Sequence, residues 1–467
     1  MRTAWDDRNR LWGAERYLAG GAPWGLIRLS PQARAFVRRL RSAGPAGLEA
    51  TTPTERALAE RLVARGVAHP VPEPRHLARD LTVIIPAYGR PELLDACLRG
   101  LGSVEVMVVD DASLDTDAVR RVAEAHGARL VRHATNQGPA AARNTGLAHT
   151  DAPIVAFLDS DCTVPPGWLE LLSGHFDDPR VGLVAPRVRP RSADGPRDGS
   201  VLARHEDARS ALDMGGRPEL VRHGARLGFL PSAALLARRS ALPEAGFDPA
   251  MRVGEDVDLV WRTIEAGWHV RYEPAVTVHH EMRLDPLEWA RRRFDYGTSA
   301  AALDRRHPGR LAPARISAWN LAIATLIVAR RPVAAAGLAV VTVTSLGRGL
   351  ARSGVPAELA VRVVAKGFVA DVVGVGHALR REWWPVGWLA LASARRSRSG
   401  GFATLAMLAP LALEYARTRP RLDPVRYVAL RLVEDAAYGS GVLASVIRAR
   451  QPRALLPHVR LPSSRRS

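Results

Sequence analysis

Two aspartates, Asp159 and Asp161, close the apolar run of the stretch IVAFLDSDC, Ile154 to Cys162. Read as a strand, the run sends both carboxylates to one side and turns Ser160 away. Unpaired carboxylates this close repel each other, and a divalent cation is the simplest compensation. Mg²⁺ or Mn²⁺ usually takes one or two carboxylates plus substrate phosphates. On a diphosphate, such an ion neutralises charge that builds on a leaving nucleoside diphosphate. An isolated DxD is common by chance, so its weight depends on its surroundings.

Three stretches give it that weight. VVDDAS puts Asp110 and Asp111 at the end of another apolar run, where an acid can accept from a ribose hydroxyl or a uracil N–H. Capping of the next helix is the plain alternative. In VIIPAYGRPELL, Pro86 ends a strand, and Tyr88 and Arg90 occupy a turn before a helix starting near Pro91, a place for a flat base and phosphates. NQGPAAARNTG sets Asn136 and Gly138 in a loop ahead of a helix carrying Arg143. That arginine can hold the acidic loop by a bidentate pair or contact the nucleotide itself. No GxGxxG follows the first strand and no GxxxxGK[ST] occurs, so the dinucleotide and P-loop readings lack their phosphate cradles.

The elements that must position these residues are short apolar runs (LTVIIPAY, VEVMVVDD, ARLVRH, IVAFLDSD, VGLVAPRV) alternating with helical segments such as PELLDACLRGL and DTDAVRRVAEAHG. Continuous apolar runs in this alternation predict an α/β fold, a mostly parallel sheet sandwiched by helices, whose ligands collect at the C-terminal strand ends. This region spans 80–283. Residues 1–79 form a smaller module. Ser30 and Pro31 start a helix whose apolar face is Ala35, Phe36, Val37 and Leu40, a second helix starts near Thr52 to Thr54 and stops at Gly66, and PVPEPRH is a linker. The module is winged-helix-like, similar to peptide-recognition domains of enzymes that modify ribosomal peptides; a helical cap is the alternative. Residues 284–467 are helical, basic and rich in alanine.

With 467 residues and 47% hydrophobic content the chain can build a sizeable core. Two cysteines, Cys97 and Cys162, make neither a disulfide framework nor a zinc site. The opening MRTAWDDRNR lacks the apolar region of a secretory signal, so the cytoplasm or the cytoplasmic face of the cell membrane is expected. The net charge of +19 is lopsided: from Arg291 onward there are 29 basic and 9 acidic residues, against 37 and 38 before it. Without an RNP-like motif or finger spacing, nucleic acid is not the expected partner. Apolar helical faces among arginines suit an anionic membrane surface, with a soluble helical bundle as the alternative. In ISAWNLAIATLIVARRPVAAAGLAVVTVTSL neither apolar stretch reaches the roughly 18 uninterrupted apolar residues of a spanning helix.

Together VIIPAYGRPELL, VVDDAS, NQGPAAARNTGL and FLDSDC resemble family 2 glycosyltransferases, inverting sugar-nucleotide enzymes of GT-A fold, over about Leu81 to Arg283; Ala112 stands where that family usually has glycine. The resemblance implies that Asp159 also contacts the nucleotide sugar. It further implies an acceptor-side acid about a hundred residues beyond the DxD, found here as Glu255 and Asp256 in RVGEDVDLVW. Asp256 is then the base that takes the acceptor's proton, with helix capping as its plain alternative. Ser232 is expected along the cleft. One of His279 and His280 completes the metal shell by the same resemblance; strand neighbours point oppositely, and His280 is preferred. Arg292 or Arg293 is a candidate diphosphate contact, or part of a solvated face.

The whole-chain plan resembles the glycosyltransferases of mycofactocin systems. It implies UDP-glucose as donor and a small-molecule acceptor derived from a ribosomal peptide, a redox-cofactor precursor, glucosylated as a β-1,4 oligomer. Two alternatives remain open at this stage: a membrane-associated transferase of a cell-wall polysaccharide or lipid-linked glycan, and a nucleotide- or peptide-binding protein without catalysis.

Overall fold

The computed structural model describes residues 1–75, 80–191, 200–282, 284–352 and 354–461. Two compact units are present, one of Met1–Arg197 with Arg209–Met282, the other of Asp198–Ala208 with Arg283–Ser467.

The first unit is built on a nine-stranded sheet. Across it run, in order, Cys162–Thr163, His269–Glu281, Val181–Arg191, Ala234–Arg238, Ile154–Leu158, Leu81–Ala87, Glu105–Asp110 and Arg129–Arg132, while Glu219–Val221 pairs with His269–Glu281 off this path. The last four strands of that order are parallel, as expected, and so is the pair Val181–Arg191 and His269–Glu281. Ala234–Arg238 joins the two groups antiparallel to both neighbours. The sheet is therefore mixed, with its parallel part under the predicted strand ends.

Burial explains the continuous apolar runs. Val106 and Val108 join one cluster with Val83, Leu94 and Val119, whereas Met107 and Val109 meet Ala142 on the opposite face. Both faces are covered, so no polar alternation survives, and each fully buried valine or methionine contributes about 1.5–3 kcal/mol. The helix Pro139–Ala148 lies so close to the sheet that a Cβ on Gly146 would stand 2.3 Å from Cγ2 of Ile84.

Ahead of the sheet stand the two expected helices, Pro31–Ser42 and Pro53–Ala64, capped by Ser30 and Thr52, with two three-stranded sheets beside them. The first helix buries Ala33, Phe36, Val37 and Leu40; Ala35 is exposed, because the i, i+3, i+4, i+7 stripe begins at Ala33. This module belongs to the first unit and is not a separate body. Arg8 pairs with Glu219, and Arg271 Nη2 donates to the Val63 carbonyl at 3.4 Å, contacts that leave no mark on local periodicity. The expected boundaries at 79 and 283, and the end of the linker, lie outside the described residues.

The second unit is helical, as expected, with Pro286–Thr298, Pro332–Arg352, Glu358–Arg380, Arg398–Thr418 and Pro424–Ala449 among its longer helices. Val201–Ala208 comes from inside the expected transferase region yet belongs here. Its Glu206 accepts from Trp289 Nε1 at 2.7 Å and pairs with Arg293. Pro332–Arg352, at 21 residues, is long and apolar enough to cross a membrane, which corrects the shorter expectation. Thr342 and Thr344 interrupt the apolar run in sequence only, since their hydroxyls donate to the carbonyls of Leu338 and Val340 in the same helix.

Candidate active site

The DxD does not leave the sheet as a strand. Ile154–Leu158 stops at Leu158, and Cys162 N–H returns to the Asp159 carbonyl at 3.0 Å, closing a turn. Cys162–Thr163 then pairs antiparallel with His279 and His280. It is the turn, rather than strand alternation, that aims both aspartates one way. Ligand atoms of Asp159, Asp161 and His280 all lie within 4.8 Å of one another, and His280 Nε2 stands 3.3 Å from Asp161 Oδ1. The three preferred metal candidates thus converge.

Arg143 ties this cluster to the acceptor-side helix. Its Nη2 donates to Asp159 Oδ1 at 2.7 Å and its Nη1 to Glu255 Oε1 at 3.0 Å. The guanidinium is buried and lies over the Phe247 ring, 5.2 Å from its centroid. Burial opposes its charge, but Asp159 and Glu255 more than offset that and raise its pKa. Glu255 opens the helix Glu255–Glu265 behind Gly254, whose φ of 81° favours glycine. Burial first, and then the charge of Asp256, push Glu255 up to about 7 against the pull of Arg143. Asp256 is raised as well, by burial, against hydrogen bonds from the Val257 and Ser232 N–H groups and the charge of Arg143. Its Oδ1 accepts from Val257 at 2.8 Å and its Oδ2 from Ser232 at 3.3 Å. Ser232 therefore meets the acid through its backbone.

Asp110 and Asp111 are buried and occupied by the chain itself. Asp110 accepts from Ser113 N at 2.9 Å and pairs with Arg132. Asp111 accepts from Gln137 N at 2.8 Å and Gly138 N at 2.7 Å, and its Oδ1 lies 2.7 Å from His133 Nδ1. These bonds fix the loop carrying Asn136 and Gly138 to the strand ends. Asn136 is exposed and donates to the Asp111 carbonyl at 3.3 Å. Pro86 does not end its strand but sits one residue before Ala87, its last. Tyr88 is exposed beyond it, and Arg90 caps the next helix with φ 53°. Arg293 is buried in the second unit against Glu206, and Arg292 Nε donates to the Tyr296 hydroxyl.

Sequence reasoning passes over Phe247 and His133 and gives Asn144 no role. Asn144 clamps residues 245–247 with Nδ2 to the Phe247 carbonyl at 2.7 Å and Oδ1 accepting from Phe247 N at 2.8 Å. Phe247 packs edge-on against Phe157 at 5.0 Å, beneath Arg143. The ARN of NQGPAAARNTG was the available signal for Asn144; nothing local marks Phe247.

The family description "Glycosyl transferase family 2" matches residues 82–241. Across 97% of its own length and 97% of the other, the chain is 37% identical to a pre-mycofactocin glycosyltransferase of Mycobacterium tuberculosis. This chain belongs to glycosyltransferase family 2. The family match ends before Glu255 and His280, so their assignment rests on the geometry above. A succinoglycan biosynthesis protein, ExoU of Rhizobium meliloti, is another relative of this family 2 chain, 34% identical over 35% of it and 50% of that protein. Among solved structures, a mannosyltransferase of Pyrobaculum calidifontis in complex with GDP-Man and Mn²⁺ overlays 80% of the family 2 chain and 89% of its own, at 19% identity and a TM-score of 0.44. The α/β sheet with its polar strand ends is the GT-A type expected of the family.

Proposed function

We propose that this chain is a metal-dependent, inverting hexosyltransferase that moves glucose from UDP-glucose onto a redox-cofactor precursor derived from a ribosomal peptide, of mycofactocin type, as a β-1,4 oligomer. The observation that carries the acceptor is the 37% identity over 97% of both chains to a pre-mycofactocin glycosyltransferase. Donor sugar and linkage follow from the same resemblance.

Two carboxylates and an imidazole with ligand atoms within 4.8 Å fit a single Mg²⁺ or Mn²⁺, so Asp159, Asp161 and His280 are the residues that would hold it. Bound there, the ion supplies countercharge to the donor diphosphate. The chain's own groups do the rest. As the acceptor oxygen bonds to the anomeric carbon, its proton passes to an Asp256 carboxylate oxygen, and the bond from that carbon to the diphosphate oxygen breaks, its electron pair leaving with the nucleoside diphosphate. A single displacement from the opposite face inverts the anomeric centre. Burial raises the proton affinity of Asp256, and the Ser232 and Val257 N–H groups orient it. Exposed Tyr88 offers a ring to the base, and Arg90 and Asn136 are exposed as well.

The reading puts the chain at the cytoplasmic face of the cell membrane, supported by the basic and apolar character of the second unit. Incubation with the peptide-derived precursor and UDP-glucose is expected to add hexose units to the precursor, read by mass. Labelling of a lipid acceptor alone contradicts this acceptor. Asp256→Asn is expected to lower turnover about 100-fold or more with UDP binding retained; unchanged turnover removes Asp256 as base.

A further inference from the structure

The second unit turns two apolar helical faces outward. Along Pro332–Arg352, Val333, Val340 and Val341 are exposed by 85%, 61% and 52%, and Ala336, Gly337 and Thr344 continue the same helical stripe. The candidate spanning window of this helix is only 6% buried. Glu358–Arg380 packs beside it and repeats the pattern every fourth residue, with Val361, Val369 and Val373 exposed by 53%, 59% and 40% and Ala365 between them. A soluble helix turns such a stripe toward its core. Here the core side is supplied by other residues, among them Ala335, Leu359, Ala360 and Ala378.

Charge says what covers the stripes. Between Arg331 and Arg348 there is no charged residue. Around the apolar area stand exposed Arg330, Arg331, Arg348, Arg352, Arg362 and Lys366, against Glu358 as the exposed acid of these two helices. A second copy of the chain would bring the same cations face to face, which disfavours self-association. An anionic lipid headgroup meets them, and acyl chains meet the valines.

We infer that the paired faces of Pro332–Arg352 and Glu358–Arg380 are the surface by which this chain docks on an anionic bilayer, with the valines inserted among acyl chains and the arginines at headgroup level. The inference rests on the membrane reading given above and names the element responsible. Binding then has two separable parts. The headgroup part weakens as salt screens it, and the apolar part persists.

Flotation of the full chain with phosphatidylglycerol/phosphatidylcholine vesicles tests it. Wild type should float, less with phosphatidylcholine alone, and keep a salt-resistant fraction. Val340→Glu with Val341→Glu should weaken flotation at least about 10-fold with the thermal melt and precursor glucosylation in detergent unchanged. Val361→Glu with Val369→Glu should do the same, which guards against one pair merely failing to fold. If wild type does not float, the membrane reading falls and this inference with it. If both double variants float like wild type, the membrane reading stands and these faces are not the dock. A wild-type dimer in sedimentation analysis that both variants dissociate, without flotation, identifies a second copy as the occupant and overturns the proposal.

Discussion

Each unit contains a buried arginine shared between two acids, and the two arrangements behave differently. In the first, Arg143 joins Asp159 to Glu255; in the second, Arg293 joins Glu206 to Glu434. The second is closed. Trp289 Nε1 donates to Glu206, and although burial pushes Glu434 upward, a hydrogen bond with His205 and the charges of Arg431 and Arg293 hold it well below the usual carboxylate range. The first is open. The Asp159 side chain keeps 27% of its surface accessible, and Asp161 and His280 stand beside it. The same pair chemistry gives a buried strut in one place and, in the other, a site with an accessible carboxylate.

That contrast can be broken at its arginines. Arg143→Ala and Arg293→Ala should each cost about 3–5 kcal/mol in urea unfolding, because each strands buried carboxylates. Only Arg143→Ala should also lower turnover, by about 100-fold or more, measured well below the melting point. Equal losses of turnover would erase the distinction between strut and site.

A smaller effect sharpens it. The folded chain holds the Glu255 proton to about 7, against an ordinary value of 4.5. A carboxyl raised in the folded state stabilises fully below its ordinary value, and that contribution is lost as pH rises from about 4.5 to 7. Glu255→Gln should remove about 3 kcal/mol from the fall in stability between pH 4.5 and 8, seen as a difference between the two urea series. Smallest is Ala112→Gly. Ala112 adopts φ 62° between the two occupied acids and Ser113, a backbone region that disfavours a Cβ. Glycine there should stabilise by about 0.5–1 kcal/mol in thermal melts.

Local chemistry was legible in the sequence, and partnership across the chain was not. Ser30 and Thr52 cap helices where their side chains and the following prolines say they should. The continuous apolar strands announce a sheet covered on both faces, and DSD, ED and HH mark acids and an imidazole that converge. What escapes is every partner chosen by tertiary folding. Arg143 and Glu255 are 112 positions apart, and the engagement of Asp110 by Arg132 and of Asp111 by His133 depends on a neighbouring strand. Nothing in the sequence of Val201–Ala208 marks its His205 and Glu206 as buried in the second unit. The antiparallel Ala234–Arg238 carries the same apolar run as a parallel strand, so direction leaves no trace in composition.

The central claim is that Asp159, Asp161 and His280 together hold one divalent cation for a nucleotide diphosphate. Calorimetric titration of UDP into the full chain, with and without Mn²⁺, tests it most directly. Binding should strengthen at least about 10-fold with the metal, and Asp161→Asn and His280→Ala should each abolish that gain while leaving the thermal melt of the metal-free chain intact. UDP binding that ignores Mn²⁺ in wild type, or a gain that survives in Asp161→Asn, would contradict the account.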